Sequence, residues 1–166
     1  MPLIENGRAV ADRWVSLADD AALPAEGGVI VSFARWQAER DALLARSAPL
    51  GVRLPSTVSA GAVAPDLERF ALVVVEFPKF RDGRGFTTAR ELRERWGYTG
   101  EIRAVGNIIA DQYPLLVRCG VSTVEVPDGT DVETWARTLN TVTIAYQASV
   151  GEDEPLALLR RRVAAA

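Results

Sequence analysis

The sequence predicts an α/β fold in which about five short parallel strands alternate with helices behind an N-terminal β-hairpin. Three observations carry this expectation. Short β-branched runs alternate with amphipathic stretches from residue 28 to residue 148. One of those runs, residues 71–77 (ALVVVEF), is unbroken and suits a central strand buried on both faces. The composition, 48% apolar and 25% charged over 166 residues, is that of one soluble domain with a real core. Such alternation implies right-handed crossovers, and either an open doubly wound sheet or a sheet resembling half of a (β/α)8 barrel satisfies it. The expected division is an N-terminal ribbon and loop over 1–27, an α/β core over 28–148 and a tail over 149–166, all within a single domain.

Within the ribbon, Asn6-Gly7 between short apolar flanks is a two-residue hairpin turn, since both positions tolerate positive φ. Residues 10–17 supply the second strand, with Trp14 as a packing residue. Residues 29–33 then form a strand, and 34–46 a helix whose Trp36, Leu43 and Leu44 share a face. A brief strand over 52–54 stops at Pro55, and Pro65 suits the first turn of a short helix over 63–70.

After the central strand, a helix is expected over 88–95. Thr88 and Glu91 stand in T-x-x-E capping-box spacing, Leu92 and Trp96 lie four apart, and Gly97 ends the turn. Residues 101–105 form a fourth strand. Asp111 caps a helix with Pro114 in its first turn, running to Gly120 with Leu115, Leu116 and Cys119 inward. A fifth strand covers 121–126. Val132, Trp135, Leu139, Val142 and Tyr146 recur at helical steps over 132–147.

Two absences exclude whole classes of chemistry. With no histidine, the chain cannot build a Ser-His-Asp or Cys-His site, or a His-ligated metal or haem site. With Cys119 as its single cysteine, it has no internal disulfide, CxxC pair or cysteine-ligated cluster. No metal site and no cofactor are evident, and no catalytic constellation is visible. The formal charge of −3 gives no general pull toward nucleic acid or anionic membrane. No apolar run is long enough to span a bilayer, and the start lacks a signal-peptide pattern, so a cytoplasmic location is expected.

The functional candidate is the loop entering the helix after the central strand. Between Lys79 and Arg95 stand six basic and three acidic side chains, a net +3 within a chain of −3. Lys79, Arg81, Asp82, Gly83, Arg84, Gly85 and Arg90 are the ligand-binding candidates. Glycines admit close backbone approach at a helix N-terminus, and arginine forks match sulfur or phosphorus oxyanions. Asp82 orients Arg84 or binds a ligand hydroxyl. The same Asp-Gly-Arg-Gly also suits a plain tight turn, with the following arginines pairing Glu91 and Glu94. No nucleotide fingerprint is complete. Secondary candidates are Glu76, which is a buried acid facing Arg103, one half of a structural ion pair with it, or, like Arg103, solvent-reaching; Asp111 and Gln112 on the same rim; and Arg118 with Cys119. Burial as a core residue is the alternative for the cysteine.

Residues 77–112 (FPKFRDGRGFTTARELRERWGYTGEIRAVGNIIADQ), followed by Arg118-Cys119-Gly120, resemble a bacterial family of unknown function. Its members are described as oxidoreductases involved in sulfite reduction and are encoded beside assimilatory sulfite reductase. Asn107 stands where the family often has Asp. The resemblance implies a pathway. With no histidine and one cysteine, the chain is expected to be an accessory or binding protein of assimilatory sulfite reduction. It would hold an oxyanion, a phosphate-bearing metabolite or an acidic patch of sulfite reductase or another sulfur-assimilation protein. An oxidoreductase-type enzyme with a bound or diffusible organic cofactor is the alternative. Aromatic residues and the N-terminal ribbon are compatible with a homodimer.

Overall fold

A computed structural model describes residues 1–141 and 149–150. The sheet begins with β1 (Leu3–Glu5) and β2 (Arg8–Val10), which pair antiparallel across Asn6 and Gly7, both at positive φ. The predicted hairpin is therefore present. The Gly7 amide donates to the Tyr113 hydroxyl at 3.0 Å, which fastens the turn to the helical layer.

The second ribbon strand expected over 10–17 is instead two separate elements, β2 and β3 (Trp14–Ser16), at opposite edges of the sheet. After β3 the chain runs through β4 (Gly28–Ser32), α1 (Phe33–Ala38), α2 (Arg40–Leu44) and β5 (Leu50–Leu54). Two 3-10 segments, Ala60–Ala62 and Ala64–Arg69, replace the expected short helix and lead into β6 (Phe70–Phe77). Then follow α3 (Arg84–Glu94), β7 (Glu101–Gly106), a 3-10 turn Ala110–Gln112, α4 (Tyr113–Arg118), β8 (Thr123–Glu125) and α5 (Val132–Leu139). The continuation of the last helix to 147 and most of the tail lie outside the described residues.

The sheet has eight strands, not five, in the order β2-β1-β8-β7-β6-β5-β4-β3. Strands β3 to β8 are mutually parallel, and β1 joins β8 antiparallel. The short strands β1 to β3 lack the long apolar run that marks a strand in sequence. Parallel strands added one after another in one direction leave no point where the strand order reverses. Right-handed crossovers then place every connecting helix on the same face. Trp36, Leu43, Leu67, Leu92, Leu116 and Trp135 accordingly share one cluster with Val31, Val52, Val73, Val75, Ile102 and Val124. A smaller cluster on the opposite face, Ile30, Leu72, Val74 and Val105, is joined by Trp14 and by no helical residue among those described.

That second face is buried because the sheet curls, as a half-barrel does. Residues 11–13 connect the two edge strands β2 and β3. Four extended Cα steps reach at most about 14 Å, whereas eight flat strands would separate the edges by about 34 Å. The edges must therefore curl toward each other, and Leu72 and Val74 are fully buried without helices above them. Arg103, only 2% exposed, ties the connector across the interior. It donates to Asp12 at 3.0 Å and to Glu101 at 3.1 Å, and the Thr123 hydroxyl donates to the same Glu101 oxygen at 2.6 Å.

On the helical face, Arg93 is the main polar fastening. It donates to the carbonyls of Gly120 (3.0 Å), Tyr98 (2.6 Å) and Gly100 (2.7 Å) and to the Ser122 hydroxyl (3.1 Å). One guanidinium thus joins α3, the turn before β7 and the turn before β8. Arg93→Ala strands these acceptors and is expected to cost about 2–4 kcal/mol. The urea midpoint measures it, and a loss below about 1 kcal/mol contradicts this role.

Candidate functional site

Barrel-like α/β sheets place their chemistry at the carboxyl ends of the strands, on the connecting loops and inner face. Three adjacent loops meet here around the end of β6. Phe77, the last residue of that strand, sets their geometry. A Cβ on Gly85 would lie 2.5 Å from the Phe77 ring, so only glycine lets the first turn of α3 pack this closely. Phe86 meets the same ring edge-on at 5.0 Å between centroids. On the other side, the Asn107 amide donates to the Phe77 carbonyl at 2.7 Å, beside Gly106 at φ +111°. A side chain on Gly106 would collide with that carbonyl.

Helix α3 begins at Arg84, four residues earlier than its expected start, so Thr88 is not a cap. Its hydroxyl donates instead to the Arg84 carbonyl at 3.3 Å. The N-cap is Gly83, and Asp82 before it accepts from the Arg84 amide at 3.3 Å. The Arg84 side chain also folds onto Asp82, at 2.9 Å from Nε and 2.7 Å from Nη2, and Nη2 donates to Ser56 at 3.0 Å. Ser56 donates in turn to Asp82 at 2.8 Å. Asp82 thus orients Arg84 and ties the loop to the end of β5. These bonds, that of Arg84 foremost, hold the Asp82 carboxyl well below the usual carboxylate range. The guanidinium is raised in turn, chiefly by Asp82.

The remaining candidates divide. Lys79 and Arg81 are exposed beside Phe80, and neither side chain has a hydrogen bond or ion pair among the described residues. Gln112 reaches the same loop, donating to the Phe80 carbonyl at 3.5 Å, so it belongs to the rim as expected. Exposed Ile109 stands just before its 3-10 turn. Asp111 lines a separate groove with Pro114, Leu115 and Arg118. Gly83 precedes α3, where a Cβ would meet only the Phe86 ring at 4.0 Å, whereas Gly85 serves packing. Arg90 turns to Glu94 at 2.9 Å, one helical turn along. Cys119 is buried, and burial pushes its thiol up, which suits the core position.

Glu76 does not face Arg103. The β6–β7 register sets Glu76 opposite Val105, and Arg103 opposite Val74, one inward-pointing row lower. Glu76 stands instead 3.9 Å from Arg53 of β5. Arg53 and Glu125 are residues that the sequence reading missed. The available signal was positional: Arg53 and Glu76 are each the second-last residue of a strand, and Glu125 is the last of β8. Among the described residues no group of His, Cys, Asp and Glu side chains could hold a metal ion. No helix there is long and apolar enough to cross a membrane.

The sequence model of a family described as "Bacterial protein of unknown function (DUF934)" matches residues 51–157. That span holds β5 to β8, the rim loops and every candidate above. No curated protein and no solved structure matches the chain.

The Asp82 arrangement has a pH signature. A depressed carboxyl stabilises the fold fully above its unfolded value, near about pH 3.9, and loses that contribution as pH falls through the lower folded value. Asp82→Asn is therefore expected to melt below the parent protein at pH 7. The gap should narrow steadily below about pH 4. A gap that stays constant down to pH 2 contradicts this.

Proposed function

The chain belongs to the DUF934 family of bacterial proteins of unknown function, and on that premise we propose that it is an accessory binding protein of assimilatory sulfite reduction. Its rim docks an acidic surface of a partner protein. One observation carries this reading. Lys79 and Arg81 project with Phe80, 50% exposed, from a loop whose other charges, Asp82 and Arg84, are locked together.

The locking favours one of the candidate ligands. A small oxyanion needs a convergent guanidinium fork, and the Arg84 fork is already turned onto both Asp82 oxygens. The cations left outside flank an exposed aromatic ring instead. An exposed aromatic ring beside arginine is favoured at protein interfaces, and cations such as Lys79 at their rim steer association with an acidic partner. Ile109 on the adjacent loop extends the apolar part. The resemblance of residues 77–120 to a family encoded beside assimilatory sulfite reductase supports the pathway and nominates that enzyme as the partner.

The test is binding to the sulfite reductase of the same genome, measured by biolayer interferometry. The double variant Lys79→Glu/Arg81→Glu should weaken association at least about tenfold while melting with the parent protein. Added salt should weaken the parent interaction as well. Equal binding by parent and variant overturns the docking role. A bound flavin absorbance, or turnover by the isolated chain with a reduced nicotinamide, overturns it in favour of the oxidoreductase alternative.

A further inference from the structure

We infer that the carboxyl-end mouth of the curled sheet is a binding site for a free basic α-amino acid. The site is separate from the docking surface and does not depend on it. A cavity of about 320 Å³ opens there, and its lining includes Met1, Arg53, Glu76, Val105, Gly106 and Glu125. The volume lies at the lower end of the range for small-molecule sites, roughly 300–1,000 Å³.

Three charged side chains from three strands face this space. Arg53 and Glu76 are about one third exposed, 35% and 33%. Their 3.9 Å separation is beyond hydrogen-bond range, so each keeps its bonding capacity for a guest. None of the three makes a hydrogen bond within the described residues. Register fixes the layout. Glu76 pairs with Val105, and the β7–β8 ladder, which pairs Ala104 with Val124, brings Glu125 beside Val105 on the other side. The two glutamates are thus separated by two strand spacings, about 10 Å between Cα atoms, and lean together on the concave face. Val105 and Gly106 form the floor between them.

This pattern matches one class of guest. Adjacent guanidinium and carboxylate suit the adjacent α-carboxylate and α-ammonium of an amino acid. A side chain laid over Val105 and Gly106 then reaches Glu125, which accepts from a terminal cation. One arginine and two glutamates carry net −1, the Met1 ammonium being matched by Asp128 at 3.5 Å, and a lysine-like guest carries net +1. Neutral or acidic amino acids leave Glu125 unmatched or opposed.

The probes are L-lysine, cadaverine (lysine without its carboxylate) and 6-aminohexanoate (lysine without its α-amine), titrated by calorimetry. L-lysine should bind saturably and at least about tenfold more tightly than either analogue. Arg53→Gln should weaken L-lysine at least about tenfold and leave cadaverine unchanged, and Glu125→Gln should weaken both. Amide shifts on adding L-lysine to the parent protein should centre on Glu76, Val105 and Gly106. Two results overturn the assignment: no heat and no amide shift for L-lysine, L-arginine or L-ornithine at 10 mM, or binding that Arg53→Gln and Glu125→Gln leave intact. Loss of these sites would leave binding to sulfite reductase unchanged.

Discussion

Everything at the carboxyl rim depends on how the chain leaves β6 at Phe77. Its ring accepts the glycine face of α3 at Gly85, and its carbonyl accepts the Asn107 amide over Gly106. These contacts set the angle of α3 and the start of the loop after β7. Between them, residues 78–83 have little freedom, and Asp82 closes the loop by bonding Arg84 and Ser56. Lys79, Phe80 and Arg81 are what this closed loop presents to solvent. Phe77, Gly85 and Gly106 are thus packing residues whose product is a surface.

The winding of the sheet explains why the two candidate sites share one end. Sequential parallel strands place the helices outside and leave an inner face that the curl itself must bury. At the amino end this is done by residues 11–13, held by the bond of Arg103 to Asp12, around a cavity of about 670 Å³ that Trp14 and Glu101 also line. That buried arginine is matched by carboxylates on both sides, and its work is closure. At the carboxyl end the inner face carries Arg53 and Glu76, a looser ion pair at 3.9 Å, and Glu125, whose side chain has no hydrogen bond or ion pair among the described residues. Charge is spent on structure at one end and left available at the other.

Much of the architecture was legible in the residues. The β-branched run before Phe77, the Asn6-Gly7 turn and the Leu92 face of α3 each follow from local chemistry. A half-barrel was one of two readings, and strand order, which decides between them, is not written in any local pattern. The N-terminal hairpin was legible, but the division of residues 10–17 into β2 and β3 at opposite edges was not, because no local pattern marks where a chain leaves one edge for the other. The early start of α3 was missed because the T-x-x-E pattern at Thr88 set the start one turn too late, whereas the N-cap is Gly83, which has no capping side chain. At the site, the basic loop was visible as charge, but that Asp82 would occupy the Arg84 fork depends on Ser56, 28 residues away in sequence. The inner-face trio was hidden for a similar reason. Arg53, Glu76 and Glu125 become neighbours only through register across three strand pairings.

The Phe77 junction presents residues 79–81 to solvent, and the docking of sulfite reductase proposed for them has a direct test. Hydrogen–deuterium exchange of this protein, alone and saturated with that enzyme, tests it directly. Slowed exchange confined to peptides covering residues 78–84 and 107–112 is the predicted result. Unchanged exchange there, or protection centred on another face, contradicts the account.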